Sequence, residues 1–172
     1  MRIWSPVFVA LLLAAQPPSK KQPDAPYVPT PQNVVEVMLE MAKVNSADVV
    51  YDLGSGDGRI PITAAQKYGA RGVGIELEPR LIREANSNAA KAKVTDRVWF
   101  LHQDLFEVDI RPATVVAMFL LPQVMQKLIP KFKRELRPGT RIVAHQYHMG
   151  DEWPPEQSRD INSLMIYLWT VR

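Results

Sequence analysis

Residues 49–60 read Val-Val-Tyr-Asp-Leu-Gly-Ser-Gly-Asp-Gly-Arg-Ile, and no other stretch of the chain narrows the fold as much. A short β-prone run enters a loop whose three glycines are spaced two apart, and a helix-compatible sequence leaves it. Gly54 and Gly56 allow a sharp turn and let a ligand approach the backbone with no Cβ in the way. The helix that follows offers free N–H groups at its start. A dinucleotide-binding fingerprint would place its third glycine where Arg59 stands, and a P-loop would open the helix with a lysine that is absent here. Asp52 begins the turn and Asp57 lies inside it. Two carboxylates repel a pyrophosphate and suit a ligand that carries an ammonium and a positive sulfonium.

From Tyr27 onward the chain supplies the elements that such a loop needs around it. Thr30 reads as a helix N-cap with Pro31 in the first helical position, and Val34, Val35, Met38, Met41 and Ala42 share one helical face. Strands are expected over 49–51, 72–75, 98–101, 114–120 and 140–145, and helices over 59–68 and 79–92. Two helical pieces, 122–129 and 130–136, are expected around Pro130, because proline suits the start of a helix better than its middle. The alternation predicts an α/β fold, a Rossmann-like mostly parallel sheet with helices on both faces. After His148 the rhythm breaks. A short strand near 159–161, a turn at Asn162-Ser163 and a strongly β-prone 164–171 predict a C-terminal antiparallel hairpin.

The 172 residues suffice for one domain with a sizeable core. The absence of cysteine excludes disulfides, thiolate metal ligands and thiol nucleophiles. A net charge of +3 is too small to argue for a nucleic-acid partner. Arg2 followed by a largely apolar run to Ala15 reads as a signal peptide or an N-terminal membrane anchor over residues 1–15, too short to span a bilayer comfortably. Residues 16–26 hold four prolines and read as a linker, which leaves 27–172 as the folded domain. The expected location is membrane-associated or exported, and the cytoplasmic face of a membrane if the anchor stays uncleaved.

The acid followed by Gly54-x-Gly56-x-Gly58 resembles the first motif of the class I S-adenosylmethionine-dependent methyltransferases. The resemblance continues at Glu76, 24 residues after Asp52, where that family places an acid on the ribose hydroxyls, and at Asp104, which matches the position facing the adenine. It implies S-adenosyl-L-methionine as cofactor and a site built from Tyr27, Asp52, Gly54, Ser55, Gly56, Asp57, Gly58, Glu76, Asp104 and Leu105. A narrower likeness rests on Pro26-Tyr27-Val28-Pro29-Thr30, on the Asp52–Ile60 loop and on Leu121-Pro122. These are similar to the seven-strand lysine methyltransferases, which include the mitochondrial enzymes that modify the adenine nucleotide carrier and the c-ring protein of ATP synthase. The likeness implies a protein lysine as acceptor, with Tyr27–Thr30 against the cofactor.

Methyl transfer from a sulfonium is an in-line displacement that needs alignment and exclusion of water, not a metal. Many amine-directed members follow strand four with Asn or Asp, Pro-Pro and an aromatic. Phe119-Leu120-Leu121-Pro122 stands there instead and argues against adenine-base or glutamine acceptors. No catalytic residue is evident. His145 and Tyr147, with His148, lie at or beyond the end of strand five and are candidates to position an acceptor or take its proton, or else rim residues bonded locally. His145-x-x-His148 is weak spacing for a metal. Lys127, Lys131, Lys133, Arg134, Arg137 and Arg141 form either a solvated helix face or a surface for an acidic partner or membrane. Three readings stand at this point: a lysine methyltransferase, a small-molecule N- or O-methyltransferase, and a cofactor-binding module without catalysis.

Overall fold

The computed structural model describes residues 27–172. The expected signal or anchor over 1–15 and the linker over 16–26 lie outside the described residues. In chain order the elements are α1 (Gln32–Met41), β1 (Val49–Leu53), α2 (Arg59–Tyr68), β2 (Arg71–Glu76), α3 (Pro79–Ala92), β3 (Val98–His102), β4 (Val115–Met118), α4 (Pro122–Glu135), β5 (Arg141–His145), β6 (Gln157–Ile161) and β7 (Leu164–Thr170). All seven strands join one sheet in the order β3-β2-β1-β4-β5-β7-β6. The first five run parallel. The last two form the antiparallel hairpin that the sequence led us to expect, with β7 against β5. Asn162 and Ser163 make its two-residue turn, both at positive φ, as a right-twisted hairpin prefers.

The chain steps outward from β1 to β2 and β3, then returns to β4 and β5 on the other side. Right-handed crossovers therefore put their helices on opposite faces. α1, α2 and α3 neighbour one another on one face, and α4 lies on the other with the segment that follows β3. Side chains of a strand alternate between faces. Val115, Ala117 and Val143 pack with Val34, Val35, Met38 and Leu39 of α1. Val116, Met118, Ile142 and Ala144 pack with Met125, Leu128, Ile129 and Phe132 of α4. The reversal of direction between β1 and β4 opens a crevice at the carboxyl ends of the strands, where ligands of such sheets sit.

Three sequence expectations are corrected. Pro130 does not divide two helices; it lies inside the continuous α4. It forfeits the N–H that would bond back one turn, but Leu128, Ile129 and Phe132 around it are fully buried, and Lys131 bonds Glu135 at 2.9 Å one turn on. Packing against the sheet outweighs the local preference. Thr30 is not the cap of α1. Pro31 holds that position with extended ψ, and the Thr30 hydroxyl turns to His145 instead. The strand expected over 114–120 covers only Val115–Met118. Thr114 still bonds both neighbours through its main chain, its N–H to the Val49 carbonyl at 3.0 Å and its carbonyl from Arg141 N–H at 3.1 Å, while Phe119 and Leu120 leave the ladder to line the crevice.

Candidate active site

The glycine loop is held in place by β2. The N–H groups of Gly54 and Ser55 both donate to the Ile75 carbonyl at 2.9 Å. Glu76, the next residue, accepts the Gly56 N–H on one carboxylate oxygen at 2.9 Å. Its other oxygen accepts Leu77 and Glu78 N–H at 2.8 and 2.9 Å. Gly58 then caps α2 in the left-handed region, with φ 81°. Gly56 also has positive φ, and a Cβ there would lie 2.2 Å from a ring carbon of Tyr27. Only glycine fits both the turn and the ring beside it.

A cavity of about 890 Å³ opens over the carboxyl ends of the parallel strands, and its two ends differ in chemistry. Over β1–β3 it is lined by Asp52, Ser55, Asp57, Glu76 and Asp104. Asp52 is 2% exposed. Burial, and then the charges of Glu76 and Asp57, hold its carboxyl well above the usual range. Asp57 behaves oppositely. Partial burial pushes it up, but the hydrogen bonds and charge of Arg59 win and its pKa falls. Arg59 grips both Asp57 oxygens, through Nε at 2.9 Å and a terminal nitrogen at 2.6 Å, and its other terminal nitrogen holds the Thr30 carbonyl at 2.8 Å. Asp104 caps the turn after β3 by accepting Phe106 N–H at 2.9 Å, and Leu105 of that turn lines the cavity. The Ser55 hydroxyl is buried with no hydrogen-bond partner among the described residues.

Over β4 and β5 the lining is Phe119, Leu120, Leu121, Val124 and Tyr147, with no charged side chain among the described residues there. Tyr27, Val28, Pro29 and Thr30 line the cavity from the N-terminal side. The Tyr27 hydroxyl accepts the Asp57 N–H at 3.4 Å. The residues that the sequence assigned to a cofactor site thus all lie on the glycine loop or around this one cavity.

The three candidates at the end of β5 part company. Tyr147 lines the cavity and stacks on Phe119, ring centres 6.2 Å apart. His145 does not line it. The imidazole is buried behind Phe119, ring centres 4.2 Å apart, and its Nδ1 shares a 3.3 Å hydrogen bond with the Thr30 hydroxyl. Burial lowers its pKa and favours the neutral ring. His148 packs on Tyr167 and accepts the Gly150 N–H at 3.1 Å. The basic run also scatters. Lys131 and Arg134 pair with Glu135, and Arg141 pairs with Asp48 at the opposite end of the sheet.

Sequence reasoning missed the link from Thr30 to His145, which spans 115 positions and has no local signal. It gave Phe119 and Leu120 both to the end of a strand and to the segment that follows strand four, and the structure bears out the second placement. The helix-starting Pro122 was the available clue, since the residues just before it must form the loop at the strand's carboxyl end.

Known proteins resemble this chain along the same lines. A family model, the ANTKMT methyltransferase domain, matches residues 52–157. A protein-lysine N-methyltransferase of Saccharolobus islandicus is 51% identical over 78% of this chain and 84% of its own. The adenine nucleotide translocase lysine N-methyltransferase of Mus musculus is 35% identical over 87% of this chain, which spans 66% of that relative. A crystal structure from Salinibacter ruber, described as an RNA methyltransferase in complex with S-adenosyl-L-homocysteine, superposes with a TM-score of 0.82 at 53% identity, covering 84% of this chain and 94% of that one.

Proposed function

This chain belongs to the ANTKMT methyltransferase family and is an S-adenosylmethionine-dependent methyltransferase, and from that premise we propose that it methylates the side-chain amine of a lysine in a protein. The 51% identity with the Saccharolobus islandicus protein-lysine N-methyltransferase carries the reading. The cavity supports it. Its acids lie at one end and its uncharged aromatic wall at the other, which suits a cationic cofactor beside an aliphatic arm.

The residues present fit the cofactor. Glu76 would hold the ribose: three backbone N–H groups occupy three of its four carboxylate acceptor sites, and the one left, on the oxygen that takes Gly56 N–H, is open to a ribose hydroxyl. Asp52 offers the buried carboxyl that a cationic ligand stabilises in its ionised form. Asp104 with Leu105 would border the base. Tyr27 lies over Gly56 and bounds the site on that side. S-adenosylmethionine supplies a methyl group already activated by its sulfonium, so the protein's task is alignment and dryness. An acceptor lysine must arrive without its proton. The wall of Phe119, Leu120, Leu121 and Tyr147 disfavours the ammonium form by desolvation.

The Salinibacter ruber relative raises RNA as an acceptor. A polyanion calls for unpaired cations at the cavity mouth. Here Arg59 is taken by Asp57, and Arg80 bonds Glu84 at 3.4 Å. Arg2, Lys20, Lys21 and Asp24 all precede Tyr27, so the described domain carries even less net charge than the +3 of the whole chain. The deciding experiment incubates the full chain with methyl-tritiated cofactor and host extract, then treats samples with protease or ribonuclease. We expect protease-sensitive label that hydrolyses to methyl-lysine. Ribonuclease-sensitive or solvent-extractable label would contradict the proposal. Residues 1–15 are proposed, separately, to tether the domain to a membrane or export it.

A further inference from the structure

The backbone at the end of β5 is strained where it enters the cavity. Gln146 has φ 67°, a left-handed value that a residue with a side chain rarely adopts. The N–H of Tyr147 donates to the His145 carbonyl two residues back at 2.8 Å, which closes a γ-turn around Gln146. γ-turns with positive φ at the centre are rare and costly. The antiparallel strand β7 holds this one. Gln146 N–H donates to the Met165 carbonyl at 2.6 Å, continuing the ladder by one residue beyond His145↔Ile166. The return bond from Met165 N–H goes at 3.4 Å to the Gln146 side-chain oxygen. The side chain thus takes the place its own carbonyl would fill in a regular pair, and the main chain is free to leave the sheet.

The residue that this turn delivers is Tyr147, which lines the uncharged end of the cavity in a stack with Phe119. Phe119 is fixed from behind by the buried His145, itself tied to Thr30 of the N-terminal segment. Strain held by surrounding structure at a cavity wall points to placement of that wall. We propose that the stacked rings of Phe119 and Tyr147 form one wall of the acceptor slot, against which the four-carbon arm and terminal amine of lysine lie, with Gln146 as the positioning residue that aims Tyr147 into it. The inference rests on the lysine reading given above. Aromatic faces cover the methylene stem, and they also attract the methylated ammonium that each turnover leaves behind. Gln146 acts through the tyrosine and does not touch the substrate. The C-terminal hairpin therefore does more than close the sheet edge: through Met165 it sets one wall of the active site.

The test needs no natural acceptor. Two analogues of S-adenosylhomocysteine are prepared with nitrogen in place of sulfur. One carries a methyl group on that nitrogen, and the other a –CH2–CH2–NH–butyl arm that mimics the lysine amine and stem. Calorimetric titration of the full chain is expected to show the armed analogue binding at least about tenfold tighter than the methyl one. Tyr147→Ala and Phe119→Leu should each lose most of that gain while keeping affinity for the methyl analogue, which also reports that the variants are folded. Tyr147→Phe should keep the gain, because the ring supplies it. Gln146→Gly should retain or raise Tm, since glycine adopts this φ freely, and still lose part of the gain. If the wild-type protein gains nothing from the arm, the lysine reading fails and the slot with it. If the wild type gains and Tyr147→Ala gains equally, the reading stands and the slot is wrong.

Discussion

The two ends of the cavity are built by different means. Over β1–β3 the main chain does most of the work: N–H groups of the glycine loop point at Ile75 and Glu76, and a run of neighbouring residues from Asp52 to Gly58 shapes the pocket. Over β4 and β5 side chains do it. Phe119 beyond β4 meets two residues from the end of β5, stacking on Tyr147 and packing at a tilt on the buried His145, braced by Thr30 and by Met165 of β7. The first end resists change because its backbone geometry is tied by several hydrogen bonds. The second can be reshaped by replacing one ring. One end therefore suits a cofactor that every turnover shares, and the other suits an acceptor that sets identity.

The largest effect expected at either end is that of Glu76→Ala. It removes the acceptor of three backbone N–H groups as well as the partner of the ribose. Hydrogen bonds to a charged group are worth about 1.5–3 kcal/mol each, so affinity for S-adenosylhomocysteine should fall on the order of a hundredfold. Tm should fall too, because the loop loses its tie. Titration calorimetry and thermal melts check this, and unchanged values for both would mean that the two ends are not built differently after all.

A smaller effect sharpens the electrostatic side of the contrast. The Asp52 carboxyl is held well above its ordinary 3.8 by burial and by the charges of Glu76 and Asp57. The native state therefore binds a proton that the unfolded chain has already lost, and in ligand-free protein this contribution to stability fades as pH rises through the raised pKa. A cation bound at the acid end reverses the preference. Binding of S-adenosylmethionine should release protons from Asp52, and affinity should rise with pH through the same window. Calorimetry in two buffers of different ionisation enthalpy reads the release. Asp52→Asn should abolish it, and buffer-independent heats for the wild type would contradict the assignment.

How much of this was legible in the sequence follows the same division. Val49–Ile60, Glu76 and Asp104 announce the acid end, because glycines that must turn and acids that must sit at strand ends leave a pattern in consecutive residues. The mostly parallel sheet and the hairpin were equally readable from alternation and its loss after His148. The other end left little trace. Thr30 looks like a cap and serves His145; Phe119 looks like strand and serves the cavity; Pro130 looks like a break and sits inside α4. In each case a tertiary contact overrode a local preference, and of the three only Phe119 has a neighbour that records it, the helix-starting Pro122.

The smallest expected effect concerns the chain ahead of Tyr27. A protein lacking residues 1–26 should keep Tm and affinity for S-adenosylhomocysteine nearly unchanged, since a segment with four prolines over 16–26 has little to bury and uncouples the run before it from the domain. The same deletion should abolish membrane association or export in the host, read by cell fractionation. Much weaker cofactor binding by the shortened protein would extend the acid end into the linker and move the domain boundary.

The most direct measurement is a crystal structure of the full chain soaked with S-adenosylhomocysteine. We expect a ribose hydroxyl on Glu76, the base beside Asp104 and Leu105, and the sulfur turned toward Phe119 and Tyr147. A ligand with its ribose over β4 and β5, or with its sulfur facing away from the aromatic pair, would contradict the division of the cavity into a cofactor end and an acceptor end.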